Sequence, residues 1–351
     1  MCAKIHRWST ILSTTLLLLP SFCAAFTFNM KKEMVSQANW QSLVANRVSV
    51  DPDDLVKANP QLAKDADYAT AIQKAWKQDV DKRLTTTPEC ESTATTYQDE
   101  DGCQLYGHLF RRRNGSSDQK VPGILFFHTG AGPHDVCLQW KADSLVTNED
   151  IFPNGCVILV ADILSDDTGW CWSPDRTRYN ESRSRVLAVD EETNQRTELR
   201  KRLSAALRTL ESVPEVDPAC LAALGWCLGG HSILELARMK HPGLRSMATY
   251  HGVFDGVTPP EASSANDSVA CEVLVCNGAE DPFVPKEALE RSSQTMERCG
   301  CKVHLLNHEG ARHGFTNPAQ DFNPNPAFAF HTEAAAAAWG ATEDLLRRTL
   351  G

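Results

Sequence analysis

The chain has 351 residues, 42 % of them hydrophobic and 23 % charged, an ordinary globular composition that excludes collagen-like and wholly disordered proteins. Its formal net charge of −10 argues against a nucleic-acid-binding protein, because such proteins carry a positive field. The thirteen cysteines are many for this length and make the cellular compartment the first question.

Residues 1–25 have the pattern of a secretory signal peptide. Lys4 and Arg7 precede an apolar run over 11–19, and small residues lead up to Ala25, so we predict cleavage after Ala25. An uncleaved membrane anchor is the less favoured alternative, because the run is shorter than the ~20 apolar residues that span a bilayer. We therefore expect a protein of the secretory lumen or the extracellular space, without a stable membrane span.

The cysteine count bears on the same compartment. Cleavage would remove Cys2 and Cys23 and leave eleven cysteines, an odd number, where disulfides form readily. We expect up to five disulfides and one remaining thiol, and the sequence does not determine the pairing. Candidate N-glycosylation sites, which agree with this compartment, lie at Asn114, Asn180 and Asn266. Phe26, directly after the predicted cut, leaves a bipartite plastid presequence open as an alternative.

Residues 26–89 are polar and contain helix formers. Ala71, Ile72, Trp76 and Val80 are spaced to form one apolar helical face. We interpret this segment as an N-terminal helical extension.

Strand and helix patterns alternate over residues 90–351, which we interpret as one domain. The predicted strands span 104–110, 121–128, 156–164, 221–227, 245–252, 271–278 and 301–307. The predicted helices span 136–145, 191–212, 231–240, 285–299 and 332–348. This order predicts an α/β fold with a mainly parallel sheet and helices on both faces.

The sharpest motif is GWCLGG at 225–230, where an apolar strand meets a predicted helix. It has the spacing of a nucleophile elbow, with Cys227 in the position that serine usually takes. The flanking glycines permit a sharp turn, and the helix N-terminus favours a thiolate and a developing oxyanion. The alternative is that Cys227 is a structural thiol or half of a disulfide.

An acid and a base follow Cys227 in the order that this type of elbow requires. Asp281 lies in a loop after one predicted strand, and His313 lies in a loop after the next. Asp281 could instead cap a helix, and His308 is a nearby competitor of His313. The predicted oxyanion donors are the N–H group of Leu228 and that of a residue after the strand at 121–128. Candidates for the second donor are Thr129 and Gly130.

Three motifs in this order make the chain resemble the dienelactone hydrolase family of the α/β-hydrolase fold. They are the GWCLGG elbow, the acid loop GAEDPFVP and the base loop RHGF. The resemblance covers about residues 90–351 and implies a Cys227–His313–Asp281 triad with Leu228 as oxyanion donor. It also implies hydrolysis of a small ester or lactone through a cysteinyl thioester, with no metal or organic cofactor.

The chain departs from the family pattern at two positions. Thr129 stands where well-studied members have a glutamate that controls the ionisation of the cysteine, and Asn317 stands where they have a carboxylate-binding arginine. The family's other carboxylate-binding arginine corresponds to Arg176 or Arg178. Further candidates for contact with the substrate are Trp170 and Trp172, at the mouth of the pocket.

Two other classes of function stay open. One is a catalytically silent hydrolase-fold protein that binds a ligand; the departures at Thr129 and Asn317 favour it, and the intact triad opposes it. The other is a cysteine-dependent acyltransferase or thiol-redox protein. Cys299 and Cys301 form a C-x-C motif, but no second cysteine or histidine pair follows, so we expect no zinc there.

Overall fold

The computed structural model describes residues 89–113, 119–133, 135–166, 170, 176–255, 271–317, 320, 323 and 325–351. All of them lie in the unit that spans Val35–Gly351. The predicted signal peptide and the predicted extension, apart from Glu89, lie outside the described residues. Asn114, Asn266 and Trp172 also lie outside them, so what we expect of these positions stays a prediction.

An eight-stranded sheet forms the centre of the described part. Its strands are β1 (Cys90–Gln98), β2 (Gln104–Arg112), β3 (Val121–Phe127), β4 (Val157–Ala161), β5 (Val216–Trp226), β6 (Leu244–Tyr250), β7 (Glu272–Gly278) and β8 (Lys302–His308). They lie side by side in the order β1-β2-β4-β3-β5-β6-β7-β8. The strands from β3 to β8 run parallel, and β1 and β2 add an antiparallel edge. The prediction of a mainly parallel sheet is confirmed.

Helices cover both faces of this sheet, as the sequence predicted. They are α1 (Val136–Val146), α2 (Thr177–Val186), α3 (Thr197–Glu211), α4 (Gly229–Met239), α5 (Lys286–Arg298) and α6 (Thr332–Leu350). Leu203 of α3 and Ile233 of α4 belong to the hydrophobic core on one face. Leu145 of α1 and Leu346 of α6 belong to the core on the other face.

Strand β3 illustrates why the central strands are continuous apolar runs. Ile124 and Phe126 enter the core beneath α1 and α6, whereas Leu125 and Phe127 enter the core beneath α3 and α4. All four side chains are fully buried, and burial of each contributes about 1.5–3 kcal/mol. The carboxyl end of β3 is therefore held firmly next to that of β5, where Phe127 pairs with Gly225.

The sequence did not predict β1 or α2. Strand β1 is an edge strand with the polar sequence CESTATTYQ, and most of its side chains are partly or fully exposed. Helix α2 has the sequence TRYNESRSRV and buries only Ser182 and Val186. Neither segment has the apolar periodicity that would identify it.

Most of the described cysteines lie away from the predicted site. Free thiols include those of Cys156, Cys220, Cys227, Cys271, Cys276, Cys299 and Cys301. No disulfide joins these residues, the thiols of Cys271 and Cys301 are hydrogen-bonded to each other, and the pairing of cysteines stays a prediction. Cys156 and Cys276 are buried in the hydrophobic core, where a thiol packs as a small apolar side chain.

Two expectations from the sequence concern glycosylation and a membrane span. Asn180 is exposed on α2, and its glycosylation stays a prediction. Among the described residues, no helix is both long enough and apolar enough to cross a membrane.

Candidate active site

Cys227 lies at the sharp turn between β5 and α4. Its backbone φ is +51°, a left-handed conformation that is strained for a residue other than glycine and that recurs at functional sites. The turn needs glycine on both sides of it. A Cβ atom at Gly225 would lie 2.4 Å from the carbonyl oxygen of Gly229, and one at Gly229 would lie 2.4 Å from that of Phe127. The predicted elbow therefore folds as a tight turn at the carboxyl edge of the sheet.

The structure brings Cys227, His313 and Asp281 together. The Cys227 Sγ atom lies 3.1 Å from Nε2 of His313, and Nδ1 of His313 lies 2.7 Å from Oδ2 of Asp281. Asp281 also accepts a hydrogen bond of 2.9 Å from the Phe283 N–H group, which orients the carboxylate. Cys227 is half-buried, and the other two side chains are buried. This is the geometry of a nucleophile, a base and an orienting acid.

The electrostatics of the pair favour a thiolate beside an imidazolium. Burial opposes ionisation of Cys227, but the His313 charge and its hydrogen bond outweigh that effect and lower the pKa of the thiol. Burial likewise opposes protonation of His313, yet the Cys227 thiolate and the Asp281 carboxylate raise the pKa of the ring to about 10. The sulfur is thus charged while the neighbouring ring carries a transferable proton.

Backbone at the start of α4 also faces the sulfur. The Leu228 N–H group hydrogen-bonds to Cys227 and contributes to its lowered pKa. Leu228 directly precedes the first residue of α4, where unpaired N–H groups and the helix dipole favour negative charge. The structure thus places the Leu228 N–H group, expected from the sequence to be an oxyanion donor, beside the Cys227 sulfur.

The loop after β3 lies next to the elbow, because β3 pairs with β5 through Phe127 and Gly225. Thr129 and Gly130 directly follow His128 at the end of this strand. The ring of Tyr179 covers Gly130, since a Cβ atom there would lie 2.8 Å from the ring. Trp170 donates a hydrogen bond of 3.2 Å from Nε1 to the Gly130 carbonyl oxygen. Aromatic side chains therefore hold the loop that was expected to supply the second oxyanion donor.

Comparison with known proteins identifies the family. The sequence model of the dienelactone hydrolase family matches residues 111–350. The chain belongs to the dienelactone hydrolase family.

Individual relatives agree with this result. The chain is 28 % identical over 203 residues to a probable 2-oxo-3-(5-oxofuran-2-ylidene)propanoate lactonase of Bradyrhizobium sp., covering 56 % of this chain and 75 % of that protein. It is 29 % identical over 149 residues to an uncharacterized Caenorhabditis elegans protein, covering 42 % of this chain and 92 % of the relative. Among solved structures, it resembles P91, a dienelactone hydrolase-like promiscuous phosphotriesterase from metagenomic libraries. That likeness has 28 % identity and a TM-score of 0.60, and covers 75 % of this chain and 100 % of P91.

Thr129 and Asn317, the two departures from the dienelactone hydrolase pattern, both form hydrogen bonds to nearby residues of the chain. Thr129 accepts a hydrogen bond from the Ala131 N–H group at 3.1 Å and donates one of 3.4 Å to Asp135, the residue that caps α1. These bonds brace the loop and supply no carboxylate to the cysteine. Asn317 lies in the loop after His313, and its N–H group donates to the Gly314 carbonyl oxygen at 2.9 Å.

The candidate substrate-binding residues differ in position. The guanidinium of Arg176 stacks on the ring of Tyr179 at 3.7 Å. Arg178 forms a 2.6 Å ion pair with Asp166. Trp170 is only 2 % exposed and donates its hydrogen bond to the Gly130 carbonyl oxygen in the loop after β3. Contact of Arg176, Arg178 and Trp170 with a substrate stays a prediction, and the burial of Trp170 makes it a packing partner of the loop after β3.

Sequence reasoning missed several side chains around the triad. Burial and then the Cys227 thiolate raise the pKa of Tyr179, which places its phenol near the sulfur. His251 contacts the His313 ring edge-on at 4.8 Å. Phe283 and Phe328 pack against the same ring at 5.0 Å and 5.1 Å.

Proposed function

We propose that the chain hydrolyses a small carboxylic ester or lactone through a covalent thioester on Cys227. The observation that carries the proposal is the 3.1 Å contact between Cys227 Sγ and His313 Nε2, with Asp281 behind the ring. Membership of a hydrolase family supports the reaction class.

In the first half of the reaction, the Cys227 thiolate attacks the carbonyl carbon and forms a tetrahedral intermediate. The Leu228 N–H group, together with an N–H group of Thr129 or Gly130, stabilises the oxyanion. His313 then gives its Nε2 proton to the departing alkoxide as the carbon–oxygen bond breaks. The product of this half is an acyl thioester and an alcohol, which in a lactone remain one molecule.

In the second half, water attacks the thioester while neutral His313 accepts its proton. The carbon–sulfur bond breaks, the acid leaves, and the thiolate–imidazolium pair forms again. Asp281 keeps the ring aligned in both halves by accepting from Nδ1. The chain's own residues thus supply each proton transfer in the proposed cycle.

The wall beside His313 favours an apolar portion of the substrate. The Phe283 side chain is 45 % exposed and packs against Phe328 at a centroid separation of 5.4 Å. We propose that these rings contact the substrate beside the scissile bond. Arg176, which stacks on the Tyr179 ring, is the proposed contact for a substrate carboxylate.

Trapping of the acyl-enzyme tests the proposal. The full chain, mixed with an activated aryl ester and quenched in acid, should gain the mass of one acyl group. Neutral hydroxylamine should release that group, and peptide mapping should place it on Cys227. The Cys220→Ala variant, which removes the thiol within β5, should be labelled equally. Turnover with no label, or with the label on another residue, contradicts the thioester route.

The pH profile provides a second test. Because the active form pairs a thiolate with an imidazolium, we expect kcat/KM to fall as pH rises through about 10, where His313 loses its proton. On the acid side it should fall as the thiolate is protonated, below the usual thiol range because the pKa of Cys227 is lowered.

Asp281→Asn provides the matched variant for the pH profile. Asp281 helps to raise the pKa of His313, so the alkaline limb of the Asp281→Asn profile should move to lower pH. An alkaline limb that stays in place would show that another group controls it.

A further inference from the structure

His251 adds a third metal-ligand type of side chain to the Cys227–His313 pair. It directly follows β6, it is 2 % exposed, and its φ of +40° lies in the left-handed region. Its N–H group donates to the Cys276 carbonyl oxygen at 2.8 Å, which fixes this backbone conformation. Sγ of Cys227 and one ring nitrogen each of His251 and His313 lie within 4.8 Å of one another.

The His251 ring has few other polar contacts. Its Nε2 lies 3.4 Å from Oγ1 of Thr316, and its Nδ1 is buried with no hydrogen-bond partner among the described residues. Burial, and then the charge on His313, hold the pKa of His251 well below its usual range. The ring is therefore neutral near pH 7 and keeps a lone pair on one nitrogen. An unpartnered buried nitrogen is unfavourable, and one nitrogen of this ring lies beside the two other donor atoms. Together these two observations point to a ligand.

These three donors suit a borderline-soft divalent cation. Zinc binds cysteine thiolates and neutral imidazoles in a tetrahedron, with ligand atoms about 3.4 to 3.6 Å apart. The three atoms here lie within 4.8 Å of one another, and the Cys227–His313 separation is 3.1 Å. Small rotations of the side chains therefore suffice to close the set around one cation.

Asp281 provides the outer contact that such a site needs. Histidine ligands of zinc usually donate their other ring nitrogen to a carboxylate, which orients the ring. Nδ1 of His313 lies 2.7 Å from Asp281 in this way. Three protein ligands leave the fourth position to water.

We infer that Cys227, His251 and His313 bind a zinc-type divalent cation that blocks the nucleophile. The cation takes the place of the proton between Sγ and Nε2, and that proton leaves to solvent. Sulfur and ring nitrogen are then both coordinated, so neither nucleophilic attack nor proton transfer proceeds. The inference rests on the same Cys227–His313 pair as the proposed function, but metal binding can be measured without a substrate.

Competition with a chromogenic zinc chelator tests the site in the full chain. We expect one Zn²⁺ per chain at this site and at least about a tenfold loss of affinity in His251→Gln. His251→Cys restores a soft ligand and should recover most of that affinity. His241→Gln and His304→Gln remove histidines that pair with Glu211 and Glu272 at the surface. Both should leave the affinity unchanged.

Cobalt(II) provides a spectroscopic test of whether Cys227 is a ligand of the bound cation. The cobalt-loaded chain should show a thiolate-to-cobalt charge-transfer band, which Cys227→Ser removes. Zinc should inhibit ester hydrolysis, and EDTA should reverse the inhibition. Equal zinc affinity in His251→Gln and its parent, a cobalt spectrum without the thiolate band, or binding without inhibition overturns the inference. If zinc and cobalt bind as expected but no ester is hydrolysed, the metal site stands and the proposed function fails.

Discussion

Replacing Cys227 by alanine should lower kcat for an activated ester by a factor on the order of 10⁴ to 10⁶. The substitution removes the attacking sulfur and leaves only oxyanion stabilisation and substrate binding, which cannot form the thioester. Alanine keeps the Cβ atom of the elbow, so the strained turn at φ +51° is unchanged. The midpoint of thermal unfolding should therefore stay close to that of the parent.

The control for this variant is Cys220→Ala. Cys220 lies in β5, the strand that leads to Cys227, and its thiol is directed to the Leu350 carbonyl oxygen at 3.8 Å. Its loss should leave kcat/KM within about twofold of the parent, as expected for a site remote from the chemistry. Steady-state kinetics of the three chains decide the matter. A Cys227→Ala chain that hydrolyses the ester at the parental rate would exclude Cys227 as the nucleophile.

Much of this fold could be predicted because the central strands are buried on both faces. Such strands are apolar runs, and the intervening helices have one apolar face, so their order predicts the parallel sheet. The edge strand β1 and the exposed helix α2 follow no such pattern, since solvent covers much of each. Their positions depend on pairing with β2 and on packing that no local periodicity records.

The three triad residues could be predicted because each lies in a short local motif. His251 could not, because it depends on the register between two strands. Trp226 of β5 pairs with Tyr250 of β6, so the next residues, Cys227 and His251, lie side by side at the sheet edge. Knowledge of the strand order and register would have indicated this neighbour, whereas the sequence alone shows a metal-type spacing at the C-x-C pair of Cys299 and Cys301.

The choice between Arg176 and Arg178 also required three-dimensional information. Both arginines precede or begin α2, and the sequence offers no reason to separate them. Their partners in the structure separate them: Arg178 pairs with Asp166, and Arg176 stacks on Tyr179 beside the loop after β3.

Replacing Glu235 by glutamine should lower the free energy of unfolding by about 3–5 kcal/mol, because the substitution leaves buried arginine charge without its counter-charge. Glu235 lies in α4 and is fully buried. Its carboxylate binds Arg200 at 2.7 Å, Arg238 at 2.7 Å and Arg196 at 3.4 Å. Glutamine keeps the shape of the side chain but can accept through one oxygen only.

Urea unfolding measures this loss, with Glu198→Gln as the matched control. Glu198 lies at the surface of α3 and pairs with Lys201 at 2.9 Å, so its neutralisation should change stability by less than about 1 kcal/mol. Below the unfolding transition, Glu235→Gln should keep a kcat/KM close to that of the parent, because Glu235 is two helical turns from Cys227 along α4. The two substitutions therefore separate catalysis from stability. Cys227→Ala should lower kcat without changing stability, and Glu235→Gln should lower the free energy of unfolding without changing kcat/KM. A Glu235→Gln chain as stable as Glu198→Gln would show that solvent or a rearranged side chain compensates the arginines, and that this cluster does not anchor the helix behind the elbow.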